Sequence, residues 1–588
     1  MIETDVLVVG SGPAGSTAAL ALSTYGIRNI LVTKYRWLAD TPRAHITNQR
    51  TMEVFRDLGI EREVAQQGAP QELMGDTVFC TSLAGEELGR LQSWGTHPNR
   101  QADYDLASPS KMCDVPQTLL EPVVLGAAAA RGTRVRFDTE YLGLEQDQDG
   151  VTATVRDRLS GNEYRIRAKY LIGADGGRSK VAEDIGLPFE GRMGVAGSMN
   201  IVFKADLSRY VAHRPSVLYW VLQPGSQIGG IGMGLVRMVR PWDEWLIVWG
   251  YDIDGPPPQV DEAEATRIAR SLIGDETIPI SIQSTSTWTV NHLYATRYAQ
   301  GRVFCMGDAV HRHPPSNGLG SNTSVQDAYN LAWKLAFVLK GQADPALLDS
   351  YDAERAPVGR QIVTRANKSI EEFGPIFSAL NFDAGDPEAM RAGMAEHGAD
   401  TPAGEACRAA LSRAIAAKSY EFNCHGVEMN RRYASAAVAP DGTPEPAYPR
   451  DPELYYAATT WPGARLPHAW LTDRAGRRIS TLDLVGRGRF TLLTGIRGEA
   501  AWREAARGAA AEHGIALPVV AIGPGRETAD PFGDWAALRE VTESGAILVR
   551  PDGHVAWRAR DAAGAAGLGA AVGQVLGKGR VPALRAAE

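Results

Sequence analysis

Residues Asp5–Gly15 read DVLVVGSGPAG. The apolar run Val6–Val9 stops at Gly10, Gly12 and Gly15, and the alanine- and leucine-rich Ser16–Ser23 that follows predicts a helix. The segment is therefore a strand, a tight turn and a helix N-terminus. The first glycine allows the turn, the second lets backbone approach a pyrophosphate, and the third lets helix pack on strand, so that free N–H groups and the positive end of the helix dipole face the phosphates. A bound dinucleotide is the expectation. Glycine triplets also occur in ordinary turns, so the weight of this reading comes from what lies downstream.

The chain has 588 residues, enough for several domains with sizeable cores, and its 44% hydrophobic and 22% charged content is that of a globular protein. A formal charge of −8 without a long basic run argues against nucleic acid as the main partner. Five cysteines, Cys80, Cys113, Cys305, Cys407 and Cys424, are scattered without metal-ligand spacing, which predicts reduced thiols and no metal site. There is no run of 18 apolar residues and no signal-peptide pattern, so a soluble cytoplasmic protein away from the membrane is expected.

Outward from the glycines, Arg28–Thr33 (RNILVT) predicts a second parallel strand. In a simple dinucleotide fold its end carries an acid for the adenosine ribose, but here Thr33 and Lys34 stand there. Another group holding the ribose, a displaced loop, or a 2′-phosphate met by the lysine are the open readings. A polar loop then leads to a helix over Thr51–Leu58, and Arg43, in a Pro-Arg pair ahead of that helix, suits a phosphate contact by a planar, permanently charged donor. Val115–Ala129 predicts an amphipathic helix with Pro122 discordant and Gln117 on its first turn. Segments 132–138, 151–157 and 163–169 alternate as antiparallel strands. The next apolar strand ends in YLIGADGG, where Asp175 and Gly176 form either a plain turn or a second approach to the cofactor.

From about 195 to 290 the strands are rich in Val, Ile, Trp and Tyr, predicting an antiparallel sheet with one face available to an aromatic substrate. A third apolar strand, Arg302–Met306, stops at Gly307 and Asp308 in GDAVHRHPPSNGLGSNTSVQDAYNLAWKL, ahead of a long helix from about Thr323. Asp308 suits hydroxyl groups of a sugar or ribityl chain, and Gly318, Gly320, Ser321 and Asn322 would aim backbone N–H groups at an anion. Residues 350–435 say little beyond helix. Five prolines between 440 and 452 mark an extended linker, and the β-α-β-β-like remainder, with a Pro551-Asp552-Gly553 hairpin turn, resembles a thioredoxin fold without any cysteine. Such a unit cannot run dithiol chemistry and is expected to serve packing or oligomerisation.

The three sites in this order, Gly10, Gly12 and Gly15, then Asp175 and Gly176, then Gly307 and Asp308, resemble the FAD-dependent aromatic monooxygenases, the single-component class A flavoprotein hydroxylases. The likeness runs over residues 1 to about 360, and KYRWLADTPRAHITNQRTMEVFRDLG is similar to the 2,4-dichlorophenol 6-monooxygenase branch. The resemblance implies an α/β fold: a discontinuous Rossmann-like FAD domain (1–185 and 296–400), an inserted antiparallel substrate sheet (186–295), a helical segment and linker (401–453), and the thioredoxin-like domain (454–588). It implies bound FAD with Arg43 at the pyrophosphate, Gln117 and Asp308 at the ribityl or phosphate region, and Gly318–Asn322 at the flavin N1 and C2 oxygen. Pro314 would line the ring beside the substrate. His45 stands five residues before Arg50, where phenol hydroxylases carry an aspartate, and a histidine there can still take a phenolic proton. Ala182 replaces the usual arginine after Ser179, which weakens an NADPH contact there.

The activity so implied is NADPH or NADH reducing FAD during a transient visit, O2 adding to give a C4a-hydroperoxide, and hydroxylation of a phenolic or hydroxy-heteroaromatic ring, either a chlorophenol or a natural-product intermediate. A homo-oligomer is expected. Two rivals stand beside this reading: a flavin-dependent halogenase, for which Trp242 and Trp245 in WDEWLI have the wrong spacing, and a non-catalytic flavin-binding interaction protein.

Overall fold

The computed structural model describes residues 1–42, 44–224 and 233–579. Its first sheet is built on Ile2–Val9, fully buried from Val6 to Val8, with Asn29–Val32 parallel on one side and Glu163–Gly173 parallel on the other. Helix α1 (Pro13–Thr24) runs between the first two of these strands, as in a nucleotide-binding β-α-β unit. Val303–Cys305 adds a fourth parallel strand beside Glu163–Gly173. Two expectations change here. Arg134–Arg136 does not join an antiparallel group but pairs in parallel with Asn29–Val32. Glu163–Gly173 is one strand with two duties: its first half pairs antiparallel with Val151–Asp157, and its second half lies beside the first strand and delivers Asp175 to the glycine turn. A single chain segment can do both because its two edges bond different neighbours.

Helix α2 (Gln49–Asp57) follows the short ladder that Ile46–Thr47 makes with Cys113–Asp114, and α3 (Gln117–Ala130) keeps Pro122 inside. The second sheet has eight strands. Phe189–Lys204, Leu218–Leu222, Met233–Arg240, Glu244–Tyr251 and Ser281–Ala295 come from the region read as a substrate sheet, but Asp76–Cys80 and Glu87–Gln92 extend one edge and His311–Arg312 closes the other. Its two faces differ. Val236, Met238, Trp245 and Ile247 pack into a core with the helix Glu262–Ile273, while Leu235, Arg237 and Val248 point the other way.

Helix α4 (Gly320–Leu339) is buried on nearly every side, and α5 (Ser350–Glu371) packs on it. The C-terminal part has Thr491–Gly495 parallel to Val519–Ile522 through helix α6 (Glu499–His513), then Ala546–Val549 and Val555–Ala559 antiparallel, closed by α7 (Leu568–Val575). This is the β-α-β-β order expected of it.

Candidate active site

The glycine turn is shaped as the sequence requires. Gly10 has φ +109°, and a Cβ there would lie 2.1 Å from the Ala174 carbonyl oxygen; a Cβ on Gly15 would lie 2.0 Å from the Gly10 oxygen. Those two contacts lock strand, turn and helix together. Gly12 is different, with open space beside it, since the nearest atom to an added Cβ is Glu121 Oε1 at 3.9 Å. No side chain caps α1 and no acid occupies its first turn, so its N-terminal N–H groups remain free for an anion.

Asp175, at the end of the neighbouring strand, accepts hydrogen bonds from Ser179 Oγ (2.5 Å) and Val181 N–H (3.1 Å), and burial raises its carboxyl. Its carboxylate shapes the local turn, while Gly176 (φ +84°) leaves bare backbone beside it. Gly307 packs on α1, an added Cβ falling 3.1 Å from Ala14 Cβ, and its N–H donates to Asp327 Oδ2 at 3.1 Å. Burial opposes ionisation of Asp327, yet Arg355 and His311 hold its carboxyl below the usual range. Asp308 beside it is exposed, and its carboxylate makes no hydrogen bond among the described residues, leaving both oxygens for hydroxyl donors. The first and third motifs, far apart in sequence, thus meet at the start of α1.

The loop before α4 meets the His45 segment directly. Asn317 and Gly318 both have positive φ (65° and 63°), and Asn317 is held there by its amide donating to the Tyr420 carbonyl (2.8 Å). Asn322 Nδ2 donates to the Ile46 oxygen (2.7 Å), and Asn48 N–H donates to Asn322 Oδ1 (3.0 Å). Gly320 and Ser321 open α4, again without a side-chain cap or an acid in the first turn. Pro314 is buried and its carbonyl contacts His313 Nδ1 at 2.6 Å. Gln117 N–H donates to the Ala44 oxygen (3.1 Å) and its amide to Glu121, so it too borders this segment. Arg43 lies outside the described residues.

His45 is buried, with Nδ1 3.2 Å from Asp114 Oδ1, and Arg237 Nη2 donates to Asp114 Oδ2 at 3.1 Å. The carboxylate assigns the ring proton to Nδ1. Nε2 is then a bare acceptor, and among the described residues it makes no hydrogen bond. Burial, aided by the Arg237 charge, lowers the imidazole pKa below its ordinary value, while Asp114 pulls the other way. The ring is therefore neutral at physiological pH, able to accept a proton but a weaker base than an ordinary histidine. Sequence reasoning found His45 only by resemblance and missed both of its partners. Asp114 stands three residues before Gln117, and Arg237 alternates with the core residues Val236 and Met238, on the opposite side of its strand.

Trp245 is a core residue, its indole N–H donating to the Ala205 oxygen at 3.1 Å, so the halogenase-like tryptophan pair has a structural role. Among the described residues no cluster of His, Cys, Asp or Glu is placed to hold a metal, and no helix is long and apolar enough to cross a membrane.

An open glycine, two helix N-termini without side-chain caps and a carboxylate free of hydrogen bonds among the described residues fit a dinucleotide whose pyrophosphate and polyol need donors and an acceptor. Comparison with known proteins agrees. A family model described as FAD binding domain matches residues 3–366, and one described as aromatic-ring hydroxylase, C-terminal, matches residues 459–579. The chain is 61% identical over 560 residues to a 2,4-dichlorophenol 6-monooxygenase of Delftia acidovorans, covering 95% of each. It is 54% identical over 563 residues to a phenol 2-monooxygenase of Pseudomonas sp. (strain EST1001), covering 95% of this chain and 90% of that one. Among solved structures, the flavin-dependent monooxygenase PieE, in complex with FAD and substrate, matches at TM-score 0.94 and 50% identity over 98% of this chain and 99% of that one. The chain therefore belongs to the FAD-binding aromatic-ring hydroxylases and is an FAD-dependent aromatic monooxygenase.

Proposed function

We propose that this enzyme hydroxylates a phenol or chlorophenol beside its hydroxyl group, with His45 as the base that ionises the substrate. The observation that carries the assignment is the unpartnered, neutral Nε2 of His45, next to the loop that precedes α4. FAD, once reduced by NADPH or NADH, supplies the activated oxygen. The chain does the rest. Gly10, Gly12 and Gly15 with Arg43 receive the pyrophosphate, Gln117 and Asp308 the polyol, Asp175 and Gly176 shape the turn beside it, and Gly320, Ser321 and Asn322 offer N–H groups to the ring's polar edge; the Gly318 N–H, expected among them, instead donates to the Pro315 oxygen at 3.1 Å and shapes the loop.

The substrate hydroxyl gives its proton to His45 Nε2 while the Nδ1 hydrogen stays on the ring, donated to the Asp114 carboxylate. An imidazolium beside a carboxylate is stabilised, and a phenolate directs attack to its ortho and para carbons. Removing water from the ring strengthens these charges. Leu235 and Val248, on the face that carries Arg237, are the apolar surface suited to that, and Pro314 lines the ring opposite. The names of the relatives favour a single-ring phenol over a polycyclic substrate. A cytoplasmic homo-oligomer completes the reading, checked by light scattering and fractionation.

The test is stoichiometric. NAD(P)H oxidised, O2 consumed, peroxide released and product formed are measured on flavin-loaded protein with phenol, chlorophenols and hydroxylated polycycles. One phenol should accelerate NAD(P)H oxidation and appear as a catechol with little peroxide. A bound flavin that no phenol affects would sink the substrate reading and favour a binding protein, and halide-dependent halogenated product would revive the halogenase.

A further inference from the structure

Helix α2 carries four charged side chains, Arg50, Glu53, Arg56 and Asp57, spaced along one side of the helix. All four meet the C-terminal part of the chain. Arg50 Nη2 donates to the Asp552 carbonyl oxygen at 2.7 Å. Arg465 Nε donates to Glu53 Oε2 at 2.7 Å, and its second nitrogen reaches Glu53 Oε1. Arg56 makes a two-pronged contact with Asp483 at 2.7 and 3.0 Å, and Asp57 Oδ1 accepts from Arg487 N–H at 2.8 Å. Glu53 is 4% exposed and Arg465 2%, so this seam is desolvated. Burial works against the Glu53 charge, but Arg465 and Arg50 keep its carboxyl below the usual range.

The other end of α2 is the active site. Asn48 caps the helix through its side chain, and its N–H is held by Asn322 at the start of α4. His45 lies three residues upstream. The hairpin that holds Arg50 also lies against α4, where the Tyr329 hydroxyl, shared between two acceptors, is 3.2 Å from the Pro551 oxygen and 2.8 Å from Asp57 Oδ2 of α2. Buried ion pairs are poor sources of net stability, and apolar residues of similar volume often do as well, but they impose register and orientation that apolar contacts leave free. A displacement near 1 Å at reacting groups can cost about 10²-fold in rate.

We propose that the C-terminal domain is a positioning device for hydroxylation. Arg465, through Glu53, is its principal residue, setting where α2 delivers His45 against the loop before α4. This rests on His45 being the base. It assigns a role to a domain that lacks any redox-active cysteine.

The experiment compares wild type with Arg465→Met and Arg465→Lys, well below each melting temperature, for product formed per NAD(P)H, FAD affinity by fluorescence quenching, and the pH profile of product formation. Arg558→Met is the control for destabilisation alone, because Arg558 pairs with Asp441 and Glu540 within the C-terminal region. The expected result is a threefold or larger fall in product per NAD(P)H for Arg465→Met, with peroxide making up the difference. The pH profile should move, FAD affinity should change less than twofold, and Arg465→Lys should recover part of the loss. Where Arg465→Met does not fold, Arg56→Gln, at a half-buried pair, should show a smaller shift in the same direction. The proposal is overturned if these variants melt earlier yet keep wild-type stoichiometry and pH profile, or if Arg558→Met raises peroxide equally. His45→Gln run in parallel separates the two claims: wild-type behaviour there removes the base assignment, whereas a defect there without one in Arg465→Met removes only the clamp.

Discussion

Two buried charged regions of this molecule are built on opposite rules. At the domain seam, Arg550, Glu354, Lys334 and Asp552 are all at most 2% exposed in their side chains, and every charge has an opposite neighbour: Arg550 Nη2 and Lys334 Nζ each donate to Glu354 Oε2 at 2.9 Å, and Arg550 also pairs with Asp552. At the candidate active site, His45 and Asp114 are as enclosed and Arg237 nearly so, but among the described residues one ring nitrogen of His45 is left without a partner. A saturated network can only hold its shape, whereas an unsaturated one holds a place for something else. The cost of an unmade hydrogen bond in a buried site is what makes the second arrangement informative.

The largest effect expected from this contrast is at the saturated side. Arg550→Met leaves Glu354 and Asp552 short of a buried cation and should destabilise the protein by about 3–5 kcal/mol, read as a large drop in denaturation midpoint. A loss below about 1 kcal/mol would break the comparison, because the network would then not be acting as a unit. His45→Gln addresses the unsaturated side. It should fold normally and bind FAD, yet lose about 10²-fold or more in product formation, the usual size of a general-base contribution.

Asp308→Ala tests whether the free carboxylate meets the cofactor's hydroxyls. FAD affinity should weaken roughly tenfold, in line with the loss of one or two charge-assisted hydrogen bonds, with little change in melting temperature of the apoprotein. The subtlest prediction is a shift in pH. His45 must be neutral to accept a proton, so activity should rise as the imidazole deprotonates, with its midpoint below the ordinary histidine value because burial and Arg237 lower it. Removing the cation in Arg237→Met raises that pKa and should move the acid limb to higher pH. A limb that stays in place would mean that Arg237 acts on Asp114 geometry alone.

Much of this site was legible along the chain because its parts are local. Gly10, Gly12 and Gly15 read as a phosphate turn since backbone clearance is a property of a few consecutive residues, and Gly307 with Asp308 reads similarly. His45 was visible only through the family resemblance, by the position it fills five residues before Arg50. The His45 partners were not legible: Asp114 looks like a strand-end polar residue, and Arg237 like any solvent-facing arginine on an alternating strand. Their meaning depends on a sheet face closing over a segment some 190 residues earlier. The same holds for Glu53 and Arg465, which read as ordinary helix-surface and loop charges until positions 412 apart are folded together.

By itself, the sequence determined the nucleotide-binding β-α-β unit, the order of the three cofactor motifs, the strand-rich insert and the cysteine-free C-terminal β-α-β-β unit. Hydrophobic period and glycine placement act within a turn or a strand and need no distant partner. Tertiary structure alone decided that Glu163–Gly173 serves two neighbours, that Asp76–Cys80 and Glu87–Gln92 join the second sheet, that Asp114 lies between His45 and Arg237, and that the C-terminal domain grips α2. Each of these is a pairing of charges or strand edges between segments far apart in the chain, and such pairings are chosen by burial and complementarity in the folded molecule rather than by any local preference.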